Sequence, residues 1–231
     1  MELTNKNNTT GVGKLKSRLL RRKITKVRFR LPIPIAQARN ALLAAVQAEV
    51  EYRRRPFAMT DALSEQIDRM AAWLAGDSSK FAAVLCGGCG NGKTTLVKAF
   101  QNLLSYLNIP VPVGHGKVWG LRLCDAREIA GIARTDYPAF LTLARIPMLA
   151  IDDVGIEPLE VMEYGNAVSP IVELLTRRYD EQLFTLMTTN LTPDGIRKRY
   201  GDRIADRLNE MAVVIPFKNS SYRTDSASLA E

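Results

Sequence analysis

The 231-residue chain is poor in the residues that build metal centres and disulfide frameworks, with three cysteines and a single histidine. An odd, small cysteine count fits a reducing cytosol better than a cross-linked secreted fold. No apolar run reaches the about eighteen residues that a membrane-spanning helix needs. The first thirty residues hold no apolar segment of the kind a secretory leader carries, so a cytoplasmic protein away from membranes is expected. Internal repeats are missing, and so is low-complexity sequence beyond the polar N-terminal stretch. Acidic charge is nearly missing from one place only. Residues 1–30 carry ten Lys or Arg against one acid, Glu2, while the remainder carries 22 basic and 23 acidic side chains. The net charge of +8 therefore belongs to the N-terminal arm. Such a block either meets nucleic acid or stands as a solvated tail, and charge alone leaves both open.

What remains is an ordinary globular composition, 46% hydrophobic and 24% charged, of a length that suits one α/β domain plus an extension. Residues 1–13 are polar and expected to be disordered. Helical spacing runs from Ala36 to about Tyr52, ahead of Arg53-Arg54-Arg55-Pro56. Thr60 can cap a second helix through Leu74. From there short apolar strands alternate with helices. The strands are expected at Phe81–Cys86, Val118–Leu123, Pro147–Ile151, Leu183–Thr188 and Ala212–Phe217. Helices are expected at Gly92–Leu107, from Ala126, at Val168–Glu181 and from Pro193, with Gly201 interrupting the last. Five buried strands with intervening helices imply an α/β fold with a parallel sheet covered on both faces. Only fourteen residues follow Phe217, too few for a separate C-terminal lid domain. The expected organisation is a basic arm over 1–34, a helical segment over 35–78 and a P-loop core over 79–231.

The run Gly87-Gly88-Cys89-Gly90-Asn91-Gly92-Lys93-Thr94 fits the Walker A pattern between a strand and a helix. Its glycines let backbone N–H groups curl round an anion, and the helix that follows points its positive end there. Lys93 supplies a cation for the β- and γ-phosphates of ATP, and Thr94 a hydroxyl for Mg²⁺. The nucleotide-binding set is thus Gly87, Gly88, Cys89, Gly90, Asn91, Gly92, Lys93, Thr94 and Thr95. Cys86-x-x-Cys89, with Cys124 and His115, spells a nominal zinc or redox set. It lies inside the phosphate loop, however, where metal or disulfide would compete with the anion.

About 60 residues downstream, an apolar strand ends in Asp152-Asp153, the Walker B arrangement. Asp152 is suited to organise Mg²⁺ with Thr94, and Asp153 to orient or activate the attacking water. Asn190, after Thr188-Thr189, ends a strand on the same sheet edge. It can hold that water or touch the γ-phosphate, or it can simply begin the Asn-Leu-Thr-Pro turn. Arg203 and Arg207 share a helix face. Either can serve as an arginine finger in an adjacent subunit, or pair locally with Asp202, Asp206 or Glu210.

The succession of Walker A, Asp-Asp, Thr-Thr-Asn-Leu, Arg203-Ile-x-Asp-Arg207 and Ser221-Tyr222-Arg223 resembles the DnaC/IstB-type branch of the AAA+ ATPases over residues 60–223. The resemblance implies that Asn190 is the sensor I residue, that Arg203 or Arg207 is the finger, and that Arg223 stands near the nucleotide in a lidless form. It also implies ATP-dependent homo-oligomers, DNA binding with single strands favoured, and a replicative helicase as client. The leading expectation is a helicase loader. A transposition accessory ATPase that binds duplex DNA and recruits a transposase is the alternative, and a P-loop small-molecule kinase a distant third. The last predicts an acceptor pocket and lid insertion that the sequence does not contain.

Overall fold

Alternating apolar runs and capped helices produce the expected order of elements. The computed structural model describes residues 11–18, 28–112, 116–163 and 165–222. Within the N-terminal arm, residues 11–18 form a short exposed helix, α1, where the sequence predicts disorder up to residue 13. Two helices precede the sheet: α2 (Ile35–Tyr52) and α3 (Asp61–Ala75). Thr60 caps α3 by accepting the Leu63 N–H at 3.2 Å.

The main sheet holds β1 (Ala82–Gly87), β2 (Arg122–Asp125), β3 (Met148–Val154), β6 (Phe184–Thr189) and β7 (Ala212–Phe217). The order is β2-β3-β6-β1-β7 and every pairing is parallel. The crossovers are α4 (Lys93–Leu107), α5 (Ala126–Thr135) with α6 (Tyr137–Ala144), α7 (Pro170–Asp180), and α8 (Pro193–Tyr200) with α9 (Asp202–Met211). The central strands β1, β3 and β6 are buried on both faces, so the sheet separates two cores. Ala83 and Leu85 face a layer with Leu42, Trp73 and Phe100 from α2, α3 and α4. Ala82 and Val84 face Ile129, Phe140 and Leu174 on the other side. This is the two-residue period of a strand buried on both faces. Among the described residues no helix is long and apolar enough to cross a membrane.

Two further features differ from what the sequence predicts. The second strand lies at Arg122–Asp125 and not at Val118–Leu123. Val118 instead bridges Pro110, and the Trp119 ring packs edge-on to Phe29 at 5.6 Å, which draws this apolar stretch off the sheet. A small antiparallel hairpin, β4 (Val161–Glu163) and β5 (Asn166–Val168), follows the Walker B strand where the sequence predicts no element. Phe29 and Leu31 are buried in the first core, with the Phe29 ring 5.6 Å from Phe184.

Arg178 on α7 is fully buried and holds the bottom of the sheet. Its guanidinium donates to Thr185 Oγ1 (2.8 Å) and to the carbonyls of Ala144 (3.0 Å), Ile146 (2.9 Å) and Phe184. Burial pushes its pKa down to about 9, with Glu181 opposing.

Candidate nucleotide site

The parallel sheet places the ends of β1, β3 and β6 side by side, which is where an open α/β sheet presents a ligand crevice. β1 runs into the glycine loop and α4 starts at Lys93, with Gly92 as its N-cap. The first turn of α4 carries no acidic residue, so its positive end is uncompensated. Gly87 has φ of +156°, and a Cβ there would sit 2.1 Å from the Phe217 carbonyl oxygen and 2.7 Å from Asn91 Nδ2. No other residue fits this close approach of β7 to the loop. At Gly88 a Cβ would meet nothing within 4 Å, so the loop's outer side is open to a ligand.

Lys93 is 4% exposed and its amine is surrounded by acceptors. It donates to Gly87 O (2.8 Å), Gly88 O (2.6 Å), Asn91 Oδ1 (3.0 Å) and Asn190 Oδ1 (2.9 Å). That is one acceptor more than an ammonium has protons. Burial pushes the Lys93 pKa down, and the charges of Asp153, Cys89 and Asp152 oppose the shift. The structure thus brings Asn190 onto the amine of the Walker A lysine.

Asp152 sits across from Thr94. Its Oδ1 accepts the hydroxyls of Thr94 (3.0 Å) and Thr188 (2.6 Å). A carboxylate with a hydroxyl beside the lysine is the hard-oxygen donor set that suits Mg²⁺ next to phosphates. Asp153 is presented by a bulge. Ile151 pairs Met187 and Val154 pairs Thr189, so β3 has one residue too many between those pairs. Asp153 takes φ of +54°, a left-handed conformation that costs a non-glycine residue about 1 kcal/mol or more. Thr188 Oγ1 accepts its backbone N–H at 2.8 Å. In the sequence Thr188 reads only as part of the strand leading to Asn190, so nothing there marks this role.

The segment after Walker B is fixed from α8. A Cβ on Gly155 would come within 2.8 Å of Leu191 Cδ1, so the Walker B and Asn190 loops are packed directly together. Glu157, 3% exposed, accepts the Gly155 N–H (2.8 Å) and the Tyr200 hydroxyl, and pairs with Arg199. Burial and this carboxylate push the Tyr200 pKa well up.

Arg203 and Arg207 part company. Arg207 leans over the Tyr179 ring at 4.9 Å and pairs with Asp180 at 3.4 Å, its side chain 13% exposed. Arg203 is exposed and, among the described residues, forms no hydrogen bond or ion pair. The expected local partners are engaged elsewhere: Asp202 and Asp206 pair with Arg197, and Glu210 accepts from Tyr179. Among the described residues, neither Arg203 nor Arg207 bonds to its own chain's phosphate loop. Cys86 is half-buried, and burial pushes its thiol up, with Lys93 opposing; Cys89 is exposed in the loop. Thr95 lies half-buried beside Thr94. Arg223 and His115 lie outside the described residues.

A family model described as IstB-like ATP binding protein matches residues 35–230. The chain belongs to this family. The family assignment covers both leading helices, the sheet and the whole candidate site. Among solved structures, the DnaC helicase loader is 16% identical, with 71% of this chain and 94% of that chain covered and a TM-score of 0.53. DnaI is 18% identical, with 84% and 95% covered and a TM-score of 0.53. Replication initiator DnaA bound to AMPPCP and single-stranded DNA is 14% identical, with 71% and 49% covered and a TM-score of 0.52. At these identities the likeness establishes the fold, that of the P-loop AAA+ proteins. No curated protein matches by sequence. The IstB-like family is an ATP-binding one, in accord with a phosphate loop whose lysine, carboxylate and asparagine converge.

Proposed function

We propose that the chain is a Mg²⁺-dependent AAA+ ATPase of the cytoplasm that uses ATP as a switch on DNA, as a loader of a replicative helicase. The observation that carries the ATPase reading is the convergence of five side chains: Lys93 on Asn190, and Thr94 with Thr188 on one oxygen of Asp152. In this reading the loop N–H groups and Lys93 hold the phosphates. Thr94 and Asp152 hold Mg²⁺, which supplies neutralisation of phosphate charge. Asp153 orients the attacking water and Asn190 senses the γ-phosphate. Arg203, exposed and uncommitted, is the finger offered to a neighbouring copy, while Arg207 serves its own subunit.

The DNA part is supported by the basic arm and by a shallow groove beside the Walker B loop. Arg127 and Arg134 of α5 flank Ala130 and Gly131 there, facing Ile156 and Pro158. Seven residues on a helix set the two guanidinium-bearing positions about 10 Å apart along the axis, with small residues between. A phosphate backbone suits such a floor. The similar replication initiator DnaA has been solved with single-stranded DNA bound.

A second reading, equally compatible with an IstB-like ATP-binding chain, is a transposition accessory ATPase that acts on duplex DNA. Fluorescence anisotropy with single-stranded and duplex oligonucleotides, with ATP or ADP and with light scattering alongside, separates the two. A loader prefers single strands and retains a helicase in a pull-down. An accessory ATPase assembles on duplex DNA with ATP. Absence of DNA binding under every condition contradicts both.

A further inference from the structure

The segment after β7 returns across the phosphate loop and touches helix α3 at the same time. Asn219 does so with the two ends of one amide. Its Nδ2 donates to the Asn91 carbonyl at 3.1 Å, and its Oδ1 accepts from Gln66 Nε2 on α3 at 2.9 Å. Tyr222 makes a second bridge. Its N–H donates to Gly90 O at 3.0 Å, and a Cβ on Gly92 would lie 3.3 Å from its ring. Its hydroxyl stands 3.5 Å from Thr60 Oγ1, the cap of α3.

Asn91 is the loop's end of this chain of contacts. It is 1% exposed, donates through Nδ2 to Phe217 O at 2.9 Å and accepts from Lys93 through Oδ1. Lys93 already faces more acceptors than it has protons, so a phosphate oxygen can gain its N–H only if one present acceptor gives way. When Asn91 gives way, a buried oxygen loses its donor, which is costly unless the side chain shifts. Phe217 and Asn219 restrain that shift. On the α3 side, Gln66 is 2% exposed and its Oε1 has no partner. If the Asn219 and Gln66 amides turn over together, Asn219 Nδ2 donates to Gln66 Oε1 and the Asn91 carbonyl loses its donor. The network thus has two discrete hydrogen-bonding arrangements, the physical requirement for coupling between two places.

We propose that Asn219 is a positioning residue for the nucleotide, a two-sided clamp between the phosphate loop and α3 through which loading of the loop is felt in the N-terminal helices. This clamp rests on the ATP-binding reading above.

Hydrogen exchange of the full chain, with and without a non-hydrolysable ATP analogue, tests it together with the analogue's affinity. In the wild type the analogue slows exchange both in the loop with the start of α4 and in the first turns of α3. Asn219→Ala keeps protection in the loop and loses it in α3, and its affinity drops about fivefold, the equivalent of one net hydrogen bond. Gln66→Met cuts the link at its far end. Its affinity stays within about twofold of wild type while α3 protection disappears. Should Asn219→Ala melt far below the wild type, Gln66→Met carries the test alone. Persistent α3 protection in Gln66→Met overturns the inference, and so does a wild type protected in the loop but unchanged in α3. A wild type that responds in neither place contradicts ATP binding itself.

Discussion

Thr188 donates its hydroxyl proton to Asp152 Oδ1 at 2.6 Å and accepts the Asp153 backbone N–H at 2.8 Å. One side chain on β6 thereby orients both Walker B carboxylates. Thr188→Val keeps the shape and removes both bonds. Turnover is expected to fall about tenfold or more, with ATP affinity within about threefold of wild type. Steady-state kinetics paired with equilibrium binding checks this, and an unchanged kcat means the carboxylates need no such anchor.

Asp153 sits on a bulge with left-handed backbone, so the chain stores strain to aim this side chain. Asp153→Asn preserves the size and loses the base. Binding of ATP should persist while hydrolysis drops on the order of a hundredfold or more. Normal turnover in this variant moves the water-activating role to another residue.

Arg203→Ala and Arg207→Ala should behave oppositely. Loss of Arg207 removes a ring contact and an ion pair, worth about 1 kcal/mol of stability together. Arg203→Ala should melt like the wild type, bind ATP, and lose about tenfold or more of hydrolysis in the assembled state. Mixing Arg203→Ala with Asp153→Asn subunits should restore part of the activity, because each supplies what the other lacks at a shared site. A melting loss in Arg203→Ala with activity intact reverses the assignment.

Tyr200 gives a pH signature. Burial and Glu157 raise its pKa above the ordinary value of 10. Above pH 10 the unfolded chain releases this proton while the folded chain keeps it. The contribution of Tyr200 to stability is therefore present below pH 10 and declines as pH rises from 10 toward the raised value. Denaturant unfolding from pH 7 to 11 should show a steeper alkaline loss in the wild type than in Tyr200→Phe. At pH 7 the variant should be less stable by about 1–2 kcal/mol, since Glu157 loses a donor. Parallel curves contradict the buried pairing.

The parts of the site that carry their own spacing were legible in the sequence. The glycine loop, Lys93, Thr94 and Asp152-Asp153 are short motifs whose local geometry follows from residue type, and the parallel sheet follows from the apolar runs around them. What escaped depends on distant partners. Arg178 reads as a surface arginine on a helix until Thr185, Ala144 and Ile146 surround it. Val118–Leu123 reads as a strand because its apolarity is real, but Trp119 spends it on Phe29. Phe29 and Leu31 carry the alternation of a buried segment, masked by the basic residues around them. Thr188 and Asn219 are small polar residues whose roles exist only once strand ends and chain return are placed. Arg203 and Arg207 are equivalent by spacing and become distinct only through Tyr179 and Asp180.

The central claim is that this phosphate loop works as part of a DNA-responsive ATPase. The most direct measurement is the rate of phosphate release by the full chain with Mg²⁺ and ATP, without DNA, with single-stranded DNA and with duplex DNA, alongside Lys93→Ala. The account predicts hydrolysis that DNA accelerates, single strands most, and no activity in the variant because ATP binding is weakened. A rate that neither kind of DNA changes, or one that survives Lys93→Ala, contradicts it.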